Sequence, residues 1–197
     1  MKDTNPPVKN SPVIIIGLGN VFLGDDGFGP LAVETFRCQY ACGPEVEVLD
    51  LGTPGLDLAP YLYGRELVVI VDAVHSNLPL RTVSVFSEDD FLSTNVRLRI
   101  TGHDPGLWDT LTHLRLADRG PSELLVIGAV PESCGFGDGP SIAMLVLAAE
   151  TAASIAQVLS HRAFLCVRRD IVPQPNLWWL PLNSIEVCGA RQVKVNA

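Results

Sequence analysis

The chain has 197 residues, 47% of them hydrophobic and 18% charged, with a formal net charge of −8. This is enough for one well-cored domain and lies far from the regime of disordered chains. The acidic balance, with no basic stripe, excludes a nucleic-acid surface. The opening MKDTNPPVKNSP lacks the apolar centre of a signal peptide, and five cysteines without a CxxC pair point to inert thiols in a reducing compartment. A cytoplasmic protein without membrane insertion is the expectation.

Residues 1–12 read as a flexible leader. The run VIIIG, Val13 to Gly17, is short, apolar and β-branched, as a strand buried on both faces requires. Gly17 and Gly19 then allow a tight turn, which leads to two adjacent acids, Asp25 and Asp26. Phe28, Leu31, Ala32, Thr35 and Phe36 recur at helical spacing, so a helix starts near Gly27–Pro30 and ends about Cys38, before Gly43 and Pro44. Val46, Val48 and Leu49 predict a second strand ending at Asp50. After a Thr-Pro-Gly turn, Leu56, Leu58, Ala59 and Leu62 predict a helix closed by Gly64 and Arg65.

The run LVVIV, Leu67 to Val71, ends on Asp72 and reads as a central parallel strand. Thr82 to Phe86 alternate weakly, as an edge strand does, and FSEDDFLSTN has the character of a helix start. His103 sits in a turn before a helix whose apolar side is expected to carry Leu107, Leu111, Leu114 and Leu116. LLVI, Leu124 to Ile127, is a third buried strand. The glycine-rich VPESCGFGDGPS follows it, then a helix from Ser141, its N-cap, to about Ser160. Strands alternating with helices give an α/β fold: three layers, with a twisted, mostly parallel sheet flanked by helices on both faces. The domain spans 13–160. Residues 161–197 form an extension that reads as an added strand pair, a docking segment or partial disorder. Its Trp178–Trp179 pair either covers core surface or contacts a partner.

Several chemistries fail on the residues. GLGNVF has Phe22 where a dinucleotide loop needs its third glycine, and the following acids would repel a pyrophosphate. Asp50 at a strand end is the one feature in favour of a nucleotide-dependent oxidoreductase. There is no phosphate loop ending in Gly-Lys-Ser/Thr, no GxSxG and no HExxH. A parallel sheet instead delivers Asp26 and Asp72 to its carboxyl edge, where ligands of open α/β sheets sit. With His103 folded over the same edge, two carboxylates and one imidazole would form an open set for a borderline divalent metal. The bland alternative stays open: each aspartate caps a helix or turn, and His103 is solvated. His75, three residues past Asp72, is a rival ligand, and His113 and His161 lie further off.

Five segments, GLGNVFLGDDGFG, LDLGTPGLDL, VIVDAV, TGHDPGL and VIGAVPES, occur in an order and spacing that resemble the nickel–iron hydrogenase maturation endopeptidases. They span roughly residues 13–160. The resemblance implies a twisted sheet between helices. It also implies a peptidase that removes the C-terminal extension of the hydrogenase large-subunit precursor once nickel is inserted. The metal-contacting acid, aspartate and histidine of that family carry over onto Asp26, Asp72 and His103, as metal-binding and catalytic residues. The first acid is Glu in many members, so Asp26 shortens it by one methylene. Asp25 takes the preceding acid position, as a supporting residue. The implied metal is nickel supplied by the substrate, with no tightly bound organic cofactor. A non-catalytic nickel-binding assembly chaperone using the same three residues is the alternative.

Overall fold

The two longest apolar runs become neighbouring parallel strands. In the computed structural model, which describes residues 11–54, 58–93, 97–98 and 107–180, β1 (Val13–Leu18) pairs with β4 (Leu67–His75) from Val13↔Leu67 to Gly17↔Val71. On its other side β1 pairs in parallel with β3 (Val46–Gly52), and β4 pairs in parallel with β7 (Glu123–Ala129). β5 (Val83–Ser87) closes the sheet as an antiparallel edge on β7, giving the order β3-β1-β4-β7-β5. A short β6 (Arg97–Leu98) pairs antiparallel with the end of β4. The fold is therefore the expected mostly parallel α/β sheet with an antiparallel edge.

Side-chain alternation divides the core in two. Val13 and Ile15 of β1 and Val69, Val71 and Ala73 of β4 face α1 (Phe28–Gln39) and α5 (Ile142–His161). Ile14, Ile16, Val68, Ile70 and Val74 face α2 (Ala59–Leu62) and α4 (Leu107–Leu116). α3 (Glu88–Ser93) lies between β5 and β6 in the chain. α5 is long and apolar enough by composition to cross a membrane. Here Met144, Ala148, Ala152, Ile155 and Leu159 instead enter the same core as Phe28, Leu31 and Phe36 of α1. Ser141 caps it as expected, its Oγ accepting from the Met144 N–H at 3.4 Å.

At the opposite, amino edge of the strands, buried Arg65 donates to Glu47 at 2.8 Å, to the Tyr61 carbonyl and to the Ser11 carbonyl. This fastens the starts of β1 and β3 and leaves the carboxyl edge to carry the site.

Four readings need correction. β4 does not stop at Val71; pairing with β7 continues through Ala73↔Ala129, so Asp72 lies inside a strand, opposite Gly128. Leu116 is 82% exposed. It stands nine residues from Leu107, half a revolution round the helix at 100° per residue. β2 (Tyr40–Cys42) follows α1 directly and was not foreseen. It pairs antiparallel with β8 (Cys166–Arg168), so the segment past 160 supplies one strand of this pair and the stretch after α1 supplies the other. Cys38 and Cys42, four residues apart, would share one side if the first helix ran on; α1 ends at Gln39 instead, and the Cys42 thiol lies 3.8 Å from that of Cys166. The expected start of α2 at Leu56 lies outside the described residues, as does Cys188.

The described cysteines are unbridged. Burial pushes Cys38 up to about 11 and Cys42 up to about 12, the latter helped by Cys166. Protonated thiols of this kind are poor nucleophiles and poor metal ligands.

Candidate active site

The chain leaves β1, passes through α1 to β3 on one side, and returns across β1 to β4 on the other. The carboxyl ends of β1 and β4 are thus the point where strand order reverses, the place where open α/β sheets form a ligand crevice between their loops. Two glycine features bring α1 down onto this point. At Gly17, a Cβ would stand 2.6 Å from the Gly29 carbonyl oxygen, and at Gly29 one would run into the carbonyl oxygens of Leu18 and Val71. The start of α1 therefore rests on the end of β1 and on β4 at Val71. Gly19, with φ +133°, takes a conformation other residues resist, and a Cβ there would meet the Asp26 carbonyl.

The loop from Asn20 to Gly27 is held by its own polar groups. Asn20 Oδ1 accepts from the Phe22 N–H at 3.0 Å, and the Asn20 carbonyl accepts from the Leu23 N–H at 3.0 Å. A single 3₁₀ turn (Gly24–Gly27) then carries both acids into the interior, Asp25 at 1% and Asp26 at 3% exposure.

The two acids have different work. Asp25 Oδ2 accepts from the backbone N–H of Glu132 at 2.8 Å and of Ser133 at 3.3 Å. Its Oδ1 accepts from the Ser141 N–H at 2.6 Å, and the Ser141 hydroxyl adds a bond of 3.2 Å. Backbone bonds from Gly24 N–H to Asp138 O and Asp25 N–H to Ser133 O run beside them. Asp25 thus ties the first loop to the glycine-rich loop and to the start of α5, the supporting role expected of it.

Asp26 lies beside Asp72 at the carboxyl edge. Its Oδ2 accepts from the Asn20 N–H at 3.0 Å, and its charge bears on Asp72. Asp72, 1% exposed, shares strand parity with Val68, Ile70 and Val74, and its Oδ1 accepts from the Ala73 N–H at 2.7 Å. Burial raises the Asp72 carboxyl well above the usual carboxylate range; the Asp26 charge raises it further, and the Ala73 bond opposes both. The Gly19 backbone lies beside Asp72 Oδ1: a Cβ there would stand 3.5 Å from this oxygen, an ordinary contact.

The structure therefore brings Asp26 and Asp72 together at the switch point. His103 lies outside the described residues. The rival His75 is exposed at the end of β4 with the opposite strand parity to Asp72, and it does not join the acids. Among the described residues no group of three His, Cys, Asp or Glu side chains is placed to hold a metal ion. Asp50, the residue that favoured a nucleotide, is hydrogen-bonded to the Gly52 N–H of its own strand at 3.0 Å. Sequence reasoning missed the Asn20 bond to Asp26 and the partners of Asp25. A glycine-rich loop ending in a capping serine was the available signal for the latter.

Chemically, two neighbouring buried carboxylates, one of which raises the proton affinity of the other, can do two things. They attract a divalent cation, or the more basic one accepts a proton from a water near neutral pH.

Comparison with known proteins agrees with this geometry. Residues 30–158 match the family model HycI, described as hydrogenase maturation protease. That span contains positions 72 and 103 and begins just after Asp26. The hydrogenase 2 maturation protease of Escherichia coli is 31% identical over 121 residues, which is 61% of this chain and 74% of that one. The hydrogenase expression/formation protein HupD of Rhodobacter capsulatus is 31% identical over 141 residues, covering 70% and 67%. Among solved structures, the hydrogenase maturating endopeptidase HybD from E. coli superposes with a TM-score of 0.72 at 26% identity, over 80% of this chain and 97% of that one. These likenesses favour a hydrolase over the oxidoreductase and chaperone readings, and with the fold and the acid pair they lead to one conclusion: the chain belongs to the hydrogenase maturation protease family.

Proposed function

We propose that this protease removes the C-terminal extension of a nickel–iron hydrogenase large-subunit precursor after nickel insertion, with the cytoplasm as its compartment. The nickel held by the precursor is the recognition element, met by Asp26, Asp72 and His103. The observation that carries the reading is the acid pair itself. Asp26 and Asp72 are buried side by side at the strand switch, and the Asp72 carboxyl is raised by burial and further by Asp26. Such a pair is unfavourable alone and becomes favourable when a divalent cation arrives. A precursor without nickel brings no such cation, which gives discrimination between the two forms.

In the proposed reaction the acid pair fixes the precursor, so that its C-terminal segment lies along the crevice beside Gly52 and Thr53. One water adds to the scissile carbonyl carbon. Its proton passes to a carboxylate and then to the departing amine nitrogen, and the C–N bond breaks. The nickel or the more basic carboxylate activates the water. These two routes separate in experiment. If a carboxylate is the base, its Asn variant binds the nickel-loaded precursor and does not cleave it. If nickel activates the water, binding and cleavage fall together.

The test is incubation with nickel-loaded and nickel-free precursor, read by mass spectrometry as loss of the terminal peptide. Wild type should shorten the nickel-loaded form alone. Asp26→Ala, Asp72→Ala and His103→Ala should each slow cleavage at least a hundredfold. Full cleavage by all three variants would sink the site assignment. Equal cleavage of nickel-free precursor would sink nickel as the recognition element.

A further inference from the structure

The segment past residue 160 presents one feature that the acid pair does not explain. The Leu180 N–H donates to the Leu177 carbonyl at 2.9 Å and closes a turn. Leu177 and Leu180, at its two ends, are 1% and 8% exposed in the core beneath α1 and α5. Just before it, the Asn176 N–H donates to Glu34 Oε1 of α1 at 2.8 Å. Between these anchors Trp178 is 68% exposed. A tryptophan fixed at the corner of a pinned turn has little conformational freedom left to lose on binding, which is the property of aromatic anchors in protein interfaces.

Trp178 is not isolated. It meets Phe22 edge-on at 6.1 Å between ring centres and Trp179 at 5.6 Å. Phe22 is itself 52% exposed and belongs to the loop of the acid pair. Its N–H is held by Asn20, whose own N–H holds Asp26, so two hydrogen bonds separate this ring from the crevice. The Phe22 carbonyl accepts from the Gly137 N–H at 2.9 Å, and the neighbouring Phe136 is 86% exposed. Three aromatic rings thus stand in water on segments linked to the rim.

We infer that Trp178 and Phe22, with Phe136 on the adjoining loop, form a docking surface for an apolar patch on the folded precursor, beside the segment to be cleaved. The inference rests on the function proposed above and adds to it a second contact, remote from the scissile bond. Three observations select this occupant. The surface is continuous with the loop that holds Asp26, so a protein entering the crevice lies against it. The chain's charge of −8 disfavours an anionic membrane. Trp178 also falls outside the span 30–158 shared with the family, as suits a choice of partner rather than the common chemistry.

The test is steady-state cleavage of nickel-loaded precursor by Trp178→Ala and Trp178→Phe, with precursor binding measured separately on immobilised enzyme. Trp178→Ala should raise KM at least tenfold, leave kcat within twofold and leave the melting temperature unchanged. Trp178→Phe should recover most of the loss. An unchanged KM overturns the docking surface. So does a wild-type dimer in sedimentation that Trp178→Ala dissociates, since a second copy would then occupy the patch. A chain ending at residue 180 that has a lower KM and no longer responds to Trp178→Ala overturns it too, because the chain's own last residues would be the occupant. If wild type cleaves precursor and Trp178→Ala leaves KM unmoved, the surface falls and the protease reading stands. If wild type binds precursor through Trp178 and never cleaves it, the protease reading falls and the surface stands.

Discussion

Asp25 and Asp26 are adjacent, equally buried and chemically identical, yet their removal should have opposite consequences. Asp25→Ala deletes the acceptor of three backbone N–H groups, two at short range, from Glu132 at 2.8 Å and Ser141 at 2.6 Å. A hydrogen bond to a charged acceptor contributes about 2 kcal/mol net, and its loss leaves a donor unsatisfied. The two short bonds therefore set the cost near 4 kcal/mol; the longer Ser133 bond adds less, and water entering at the loop rim takes some back. For a chain of this length that corresponds to roughly 10 °C in melting temperature. Asp26→Ala loses the Asn20 bond but relieves the repulsion on Asp72, so its melting temperature should stay within about 3 °C of wild type while cleavage is lost. Calorimetry measures both, and hydrogen exchange gives a local check: the amides of Glu132, Ser133 and Ser141 should exchange faster in Asp25→Ala alone. An Asp25→Ala variant melting within about 2 °C of wild type, or an Asp26→Ala variant less stable than it, would refute the division of roles.

Asp72 should make the metal-free protein less stable as pH rises. Its folded pKa is raised above the ordinary aspartate value of 3.8, so the folded state binds the extra proton, and its advantage fades as pH climbs through the window between the two values. Asp72→Asn, neutral throughout and still accepting from Ala73, should match wild type near pH 4 and exceed it at pH 8 by about 1–2 kcal/mol, while losing activity; parallel melting curves at both pH values would contradict this. Gly29→Ala places a methyl against the carbonyl oxygens of Leu18 and Val71 and should cost about 3 kcal/mol, the upper range for overpacking, measured by urea unfolding. Ala163 closes α5 at φ +60°, with the Phe164 N–H on the Leu159 carbonyl and the Ala163 N–H on the Ser160 carbonyl. Ala163→Gly should therefore stabilise by about 0.5–1 kcal/mol with no change in cleavage, and a lower urea midpoint would speak against it.

The parts of the fold that could be read were those whose residues answer to one demand. VIIIG, LVVIV and LLVI are apolar at every position because helices cover both faces of their strands, and no other environment requires that. Ser141 was legible as a cap because its side chain acts on a backbone donor three residues on. β2 and β8 carry no such mark. They are three residues each, β2 half-buried and β8 mostly exposed, and Cys42 finds Cys166 only through the fold, 124 positions away. Asp72 was placed at a strand end because a carboxylate usually marks one. It lies inside β4 because pairing with β7 runs on past it, with Gly128 opposite, to Ala73↔Ala129. Of the site, Asp26 and Asp72 were legible from their positions after apolar strands. What separates Asp25 from Asp26 is which way each points out of a single 3₁₀ turn, and residue type cannot encode that. His103 rested on family likeness and lies outside the described residues.

The division between the two adjacent acids also bears on how the site stays assembled. Two like charges at close quarters push their loops apart, and a loop of glycines would yield to that push. Asp26 rides on such a loop, with Gly19, Gly24 and Gly27 around it, while Asp72 is fixed in the central strand. The repulsion must therefore act almost wholly on the loop. Asp25 opposes it from the next position: its carboxylate is gripped by donors on a different segment, and that segment is anchored to the first turn of the most buried helix pair. The same turn thus carries one acid whose charge is met by backbone donors and one whose charge acts on its neighbour in the sheet. A looser grip would let Asp26 swing into solvent, ease Asp72 back toward an ordinary carboxylate and remove the charge density that a cation would answer. On this reasoning, substitutions in the glycine-rich loop that weaken the grip on Asp25 should lower the pKa of Asp72 from a distance, without touching it.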